Sequence, residues 1–167
     1  GSLLEARAPQ GRFSLDAEQR RPLVLLAAGV GITPLLSMLR EVIFQNQRLR
    51  RSRPVWLLQS ARSLADLAFR DELFSLLQRG GDASHAVRLL SQPEAHALEG
   101  QDFELAGRID VALLKALLPF DDYDFYLCGP SSFTQDLYDG LRQLNISDTR
   151  IHAETCGPSS LRRQAQL

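Results

Sequence analysis

The residues of this chain that could do chemistry lie in a few short segments of glycine, proline and small hydroxyl side chains. One segment reads Gly29-Val-Gly31-Ile-Thr33-Pro34. Its two glycines permit a tight turn and let the backbone approach a phosphate closely. Pro34 suits the first turn of a helix, whose free N–H groups and dipole favour an anion, and Thr33 is predicted to cap that helix. The segment therefore predicts a phosphate-binding turn, with a purely structural turn as the alternative, because Leu36 stands where the full G-x-G-x-x-G pattern has its third glycine.

Two further segments also follow predicted strands. Cys128-Gly129-Pro130 combines a thiol with a glycine and a helix-starting proline, although a small buried residue is the common role of such a cysteine. Ser60 and Arg62 follow another apolar run and could meet a 2′-phosphate, whereas an exposed loop arginine is the alternative. The carboxylate that binds an adenosine ribose diol in many dinucleotide sites is missing from this strand end.

The elements that must position these segments alternate along the chain. Continuous apolar runs predict five strands buried on both faces, and amphipathic periodicity predicts four helices between them. The predicted strands cover residues 23–28, 55–60, 86–91, 124–128 and 150–154, and the helices cover 34–47, 67–77, 110–118 and 131–144. Asp110 is expected to cap the third helix, and residues 92–106 show no pattern and are expected to form a loop. The prediction is a Rossmann-like, doubly wound α/β domain with a five-stranded parallel sheet in the order 3-2-1-4-5 and helices on both faces.

Composition excludes several function classes. The 167 residues carry a net charge of −1, which argues against a general nucleic-acid binder. Neither the two cysteines nor the three histidines have zinc-ligand spacing, so no metal site is predicted, and reduced thiols suit a cytoplasmic protein. The longest apolar stretch, residues 22–39, is interrupted by glycine, proline and hydroxyl residues and predicts no membrane span. The arginine run at positions 48, 50, 51 and 53 is expected to be a solvated turn.

Six segments together resemble the NAD(P)-binding half of the ferredoxin–NADP reductase superfamily, above all its flavohaemoglobin and phthalate dioxygenase reductase types. They occur in the family's order and read LVLLAAGVGITPLLSML, WLLQSARS, AFRDEL, GRID, YLCGPSSF and IHAETCGPSS. The resemblance implies hydride transfer between NAD(P)H and FAD, followed by electron transfer to an iron–sulfur or haem partner. In such enzymes the flavin carries the difficult chemistry and the protein orients the rings.

The resemblance also implies roles for individual residues. The pyrophosphate and the nicotinamide side of the cofactor are expected at Gly29, Gly31, Thr33 and Pro34. Cys128 is expected beside the nicotinamide ring, with Gly129 and Pro130 contributing to cofactor binding, and Glu154 is expected to approach the redox centre. Thr33, Cys128 and Glu154 are thus the candidate catalytic residues, and Ser60 and Arg62 complete the candidate cofactor site.

Two departures from the family pattern shape the domain prediction. The flavin motif of the preceding barrel is absent, while Pro9, Gly11 and Phe13 resemble the exit of that barrel. Residues 1–21 are therefore expected to be the end of a flavin-binding barrel plus a linker, and residues 22–156 the NAD(P)-binding domain. Residues 157–167 are expected to be a tail or a linker to a possible [2Fe–2S] domain. Cys156 stands where the family usually has an aromatic residue.

The chain is thus expected to bind NAD(P)H for a flavin-dependent reductase and to be inactive alone, because its FAD is held mainly by another domain of the same protein. The alternative is a nucleotide-binding or docking module without redox activity, which the missing barrel and Cys156 favour. A hydrolase is not supported, since the chain has no G-x-S-x-G elbow.

Overall fold

A computed structural model of the protein describes residues 13–156 and 161–164. Two predictions fall outside these residues: the barrel exit at Pro9 and Gly11, and the GPSS end of the last matching segment. In the described part of the chain, no helix is both long and apolar enough to cross a membrane.

Strands and helices alternate through the described residues, as the apolar runs predict. The strands are β1 (Leu23–Ala28), β2 (Val55–Ala61), β3 (Ser84–Leu90), β4 (Leu105–Ala106), β5 (Asp124–Pro130) and β6 (Ile151–Cys156). The α-helices are α1 (Ile32–Arg48), α2 (Arg70–Gly80), α3 (Val111–Leu117) and α4 (Ser131–Gln143).

The strands form one six-stranded sheet in the order β4-β3-β2-β1-β5-β6, and every pairing is parallel. The predicted five-stranded sheet in the order 3-2-1-4-5 is therefore wrong, because β4 adds a sixth strand at the edge beside β3. This strand has only two residues, Leu105 and Ala106, which is too short to show a hydrophobic period. Backbone hydrogen bonds from Glu104 to the Arg88 carbonyl and from Gly107 to the Leu90 carbonyl hold it in place.

The central strand β1 explains why the sheet needs helices on both faces. Its first five residues are buried, and neighbouring strands cover both of its edges. One apolar core lies between the sheet and helices α1 and α2, where Leu25 and Leu39 belong to the same cluster. A second core lies on the other face against α3 and α4, and it contains Leu26 and Leu137. Helices on opposite faces leave an open edge where the carboxyl ends of the strands meet.

Helix α1 begins two residues earlier than predicted. Gly31 occupies its N-cap position, and no side chain caps the helix. The prediction that Thr33 caps α1 is therefore wrong: Thr33 is the second helical residue, and a turn of 3-10 helix at Gly29–Gly31 leads directly into α1. The predicted cap of α3 is confirmed, because a carboxylate oxygen of Asp110 accepts a hydrogen bond from the Leu113 amide at 2.8 Å.

The arginine run between α1 and β2 is not uniformly solvated. Arg48 and Arg50 are exposed, but Arg53 is only 5% exposed. Its Nε donates to the Arg21 carbonyl at 2.7 Å and its Nη1 to the Asp16 carbonyl at 3.5 Å. The expectation of a solvated turn is therefore wrong for Arg53, whose side chain fastens the segment before β1 to the domain.

Candidate functional site

A cleft of about 950 Å³ opens at the carboxyl edge of the sheet, over the ends of β1, β2 and β5. The chain reverses direction across the sheet here, since β2, β3 and β4 lie on one side of β1 while β5 and β6 lie on the other. Parallel α/β sheets bind ligands at such a switch point. The cleft volume falls in the range of about 300–1,000 Å³ that is typical of small-molecule sites.

Gly29 forms the floor of the cleft at the end of β1. Its φ of +57° lies in the left-handed region that favours glycine, and a side chain added here would meet no atom within 4 Å. No side chain caps the 3-10 turn at Gly29–Gly31 or the helix that follows it, and the Ile32 amide at the start of α1 donates to carbonyl groups of that turn. Thr33 lines the cleft from this turn, whereas the half-buried Pro34 does not. The arrangement leaves room and donors for an anion.

Gly31, which is predicted to bind the pyrophosphate, lies at a packing contact between the turn and β5. The residue is buried, and a Cβ built on it would overlap the carbonyl group of Cys128 on β5. Gly31 therefore lets the turn after β1 pack directly against the backbone of β5. Cys128 is itself 5% exposed and belongs to the core beneath α1, outside the lining of the cleft.

The ends of β5 and β6 bring three predicted residues to one face of the sheet. Glu154 lies opposite Cys128 in the parallel register, and Cys156 lies opposite Pro130. Because side chains alternate along a strand, Cys128, Glu154 and Cys156 share a face. Glu154 and Cys156 are half-buried, and Pro130 lines the cleft.

Both predicted polar residues line the cleft wall: Ser60 lies at the end of β2 and Arg62 in the loop that follows it. This loop also contributes a carboxylate that sequence reasoning missed. Asp66 lines the cleft and accepts a hydrogen bond from the Ser63 hydroxyl at 3.0 Å. Asp66 stands six residues beyond Ser60, after the loop has folded back over the strand end, so the residues that directly follow the strand do not indicate it.

A second carboxylate holds this loop in place. The two oxygens of Glu94 accept hydrogen bonds from the Leu64 and Ala65 amides at 2.7 and 3.1 Å. The backbone hydrogen bond from Leu64 is the main reason why the pKa of Glu94 lies below its ordinary value. Glu94 thus fixes the turn that carries Asp66, although it does not line the cleft itself.

Phe69 is the other missed residue on this wall. Its ring lines the cleft and the residue is 44% exposed, while its φ of +61° is a conformation that bulky side chains rarely adopt. Such strain is concentrated at functional sites. Phe69 lies in the matching AFRDEL segment, which could have signalled a role for it.

The opposite wall comes from the residues before α3 and from the first turns of α4. Arg108, Asp110 and Ser132 line it, together with Asp136. Arg108 belongs to the matching GRID segment, to which sequence reasoning assigned no side-chain role beyond the cap at Asp110. The cleft therefore lies between a wall formed by α1 and the loop after β2, and a wall formed by α4 and the α3 approach.

A parallel α/β sheet with a glycine turn and an uncapped helix terminus at its switch point defines a Rossmann-like nucleotide-binding domain. The chain belongs to the family of oxidoreductase NAD-binding domains, whose family model matches residues 25–139. This match confirms the resemblance to the ferredoxin–NADP reductase superfamily that the motifs indicate.

The relatives found by sequence include flavohemoproteins. The one from Rhizobium meliloti (strain 1021) is 35% identical over 158 residues, which cover 95% of this chain and 38% of that protein. The chain thus spans less than two-fifths of the length of this relative.

Two solved structures with similar folds also come from flavin-containing proteins. The FAD/NAD-binding domain of a nitric oxide dioxygenase from Vibrio cholerae has a TM-score of 0.70 and 32% identity, covering 87% of this chain and 54% of that one. A flavohemoglobin from Malassezia yamatoensis with bound FAD and heme has a TM-score of 0.67 and 29% identity, covering 86% and 33%.

Proposed function

We propose that this chain is the NAD(P)H-binding part of a flavin-dependent reductase and presents the nicotinamide for hydride transfer to FAD held by another domain. The observation that carries the proposal is the cleft at the switch point of the sheet, with the open turn at Gly29 and the uncapped first turn of α1 on its floor. The dinucleotide supplies the hydride, and the residues of the chain bind and orient it.

The phosphates fit the turn after β1. The left-handed Gly29 leaves open space beside the backbone, and the uncapped turn at Gly29–Gly31 together with the dipole of α1 favours negative charge there. In this arrangement Gly29 contacts the pyrophosphate directly. Gly31 contributes indirectly, because its close contact with β5 sets the position of the turn.

The adenosine end fits the wall after β2. The exposed ring of Phe69 offers a stacking surface for a base, and Ser60 offers a hydroxyl. Arg62 attracts a 2′-phosphate, whereas Asp66 repels it and accepts hydrogen bonds from a ribose diol instead. The preference between NADH and NADPH is therefore a balance between these two side chains.

The nicotinamide end then reaches toward the ends of β5 and β6. Thr33 and Pro130 line this part of the cleft, and Glu154 lies on the face that it shares with Cys128. We assign Thr33 and Glu154 to orientation of the nicotinamide. Cys128 shapes this end from the core through the contact of its carbonyl with Gly31.

The flavin and the electron acceptor belong to other parts of the whole protein. Phe13 packs edge-on against Tyr126, with ring centroids 5.3 Å apart, so the segment before β1 lies against the face that carries Glu154. This contact supports a flavin domain preceding the linker, with residues 22–156 as the NAD(P)-binding domain. The similar flavohemoglobin holds FAD and heme, which supports a haem acceptor.

Calorimetry with NADH and NADPH tests dinucleotide binding. Gly29→Asp places a negative charge in the phosphate space, and Asp tolerates the left-handed conformation, so we expect affinity to fall more than tenfold. Gly100→Asp is the control, because Gly100 also has a positive φ and open space but lies outside the cleft. Equal affinity in the two variants would refute the phosphate site.

The two side chains after β2 give a second test. Arg62→Ala should lower NADPH affinity about tenfold with little effect on NADH, since a charge-assisted contact contributes roughly 1.5–3 kcal/mol. Asp66→Asn should raise NADPH affinity. In the full-length protein, stopped-flow reduction of the bound flavin by NADH measures hydride transfer, and a flavin that stays oxidised would overturn the proposal.

A further inference from the structure

We propose that Arg108 binds the pyrophosphate of the dinucleotide from the wall of the cleft that faces α1. This inference rests on the proposed function and assigns a phosphate-binding side chain outside the turn after β1. It follows from how Arg108 is held, from the charges around it and from its place in the cleft.

Arg108 is carried by a short segment that is anchored on both sides. Before it, the Gly107 amide donates to the Leu90 carbonyl at 2.8 Å. After it, Ile109 is 6% exposed and packs in the core under α3, and Asp110 caps that helix. The segment therefore has little freedom, and Arg108 is its exposed residue at the cleft.

The charge of Arg108 is not neutralised by its neighbours. Within residues 13–156 and 161–164 its guanidinium makes no hydrogen bond or ion pair, unlike Arg88, which pairs with Glu104 at 2.6 Å. Three acids line the cleft: Asp110 is engaged as a helix cap, Asp66 holds the Ser63 hydroxyl, and Asp136, on the same wall as Arg108, makes no ion pair with it. A guanidinium carried by an anchored backbone segment, without an acidic partner and in a cleft suited to a phosphate ligand, fits the planar recognition of phosphate oxygens.

The position of Arg108 favours the pyrophosphate over a 2′-phosphate. The site after β2 that would hold a 2′-phosphate already has Arg62. Arg108 shares its wall with Ser132 at the start of α4, on the face of the sheet opposite α1. A pyrophosphate that lies on the turn at Gly29–Gly31 has further oxygens directed to the other wall, where Arg108 lies.

Calorimetry on the 167-residue chain with two probes separates the possible contacts. ADP-ribose carries the pyrophosphate without a 2′-phosphate, and 2′-AMP carries only the 2′-phosphate. We expect Arg108→Gln to weaken ADP-ribose binding about tenfold, as for the loss of one charge-assisted contact, and to leave 2′-AMP binding unchanged. Arg108→Lys should restore part of the affinity, since it keeps the charge and loses the fork of donors.

Arg79→Gln is the matched control, because it removes the same charge at the far end of α2, outside the cleft. Urea denaturation of each variant shows that the fold is retained. Unchanged ADP-ribose affinity in Arg108→Gln would overturn the assignment while leaving the proposed function intact, and so would a loss confined to 2′-AMP. If the unmodified chain bound neither ADP-ribose nor NADH, the proposed function itself would fail and this inference with it.

Discussion

The strongest prediction concerns the buried glycine between β1 and α1. In Gly31→Ala the new methyl group would overlap the Cys128 carbonyl, and neither backbone can be relieved by a change of rotamer. The turn or β5 must move, and overpacking of this kind typically costs about 1–3 kcal/mol. We expect the overpacking cost of Gly31→Ala to lie at the upper end of this range, about 3 kcal/mol. The loss in the free energy of unfolding is smaller than this cost by about 0.4–1 kcal/mol, because alanine reduces the entropy of the unfolded chain.

Two other glycines of the same region supply graded comparisons. In Gly29→Ala the methyl group meets open space, so the only cost is the left-handed backbone conformation that alanine must adopt. This costs about 1 kcal/mol before the correction for the entropy of the unfolded chain. In Gly129→Ala the new Cβ would lie 2.8 Å from the ring of Phe133, a side chain that can rotate away. The expected order of destabilisation is therefore Gly31→Ala well above the other two.

Urea unfolding of the three variants measures this order. With an m value of about 2 kcal/mol/M, a difference of about 2 kcal/mol between Gly31→Ala and Gly29→Ala shifts the midpoint by about 1 M. A Gly31→Ala protein as stable as Gly29→Ala would refute the idea that direct backbone packing requires this glycine. Of these three glycine variants, only Gly29→Ala is expected to lower NADH affinity without a large loss of stability.

Three further predictions concern the cap, a buried acid and the thiols. Asp110→Ala should lower the free energy of unfolding by about 1 kcal/mol, the usual value of a helix cap, and weaken ADP-ribose binding because the segment beside the cleft loosens; a change in neither quantity would contradict this. Burial raises the pKa of Asp124, but the side chains that pair with this carboxylate lower its pKa by more than burial raises it. The pKa of Asp124 therefore lies below the ordinary value. The ionised form of Asp124 thus stabilises the fold above about pH 4, and this contribution disappears as the pH falls through the lowered pKa. Asp124→Asn should lower the free energy of unfolding by about 1–2 kcal/mol at pH 7 and make stability less dependent on pH on the acid side. Cys156 should react with a thiol reagent well before Cys128, because only Cys156 is half-exposed, and equal labelling rates in mass spectrometry would show that the core under α1 opens readily.

Local patterns in the sequence determined much of the fold. The apolar run at 23–28 predicted β1 to the residue, because a strand buried on both faces needs continuous apolar side chains. Asp110 predicted the start of α3, since an Asp before an apolar period satisfies the first free amides of a helix. The alternation of such runs predicted a parallel sheet with helices on both faces. The glycine-rich segment after β1 predicted where an anion would bind, because it combines a tight turn with a helix terminus.

The tertiary structure decided what depends on contacts between distant segments. The strand β4 exists through backbone hydrogen bonds to β3, which no side-chain pattern reports. Gly31 and Gly29 look alike in the sequence, but only the approach of β5 makes one a packing position and the other the floor of a cleft. Arg108 and Asp66 line the same cleft because the sheet brings the ends of separate strands to one edge. Local periodicity encodes which elements form, whereas which loops come together depends on the order in which the strands pair.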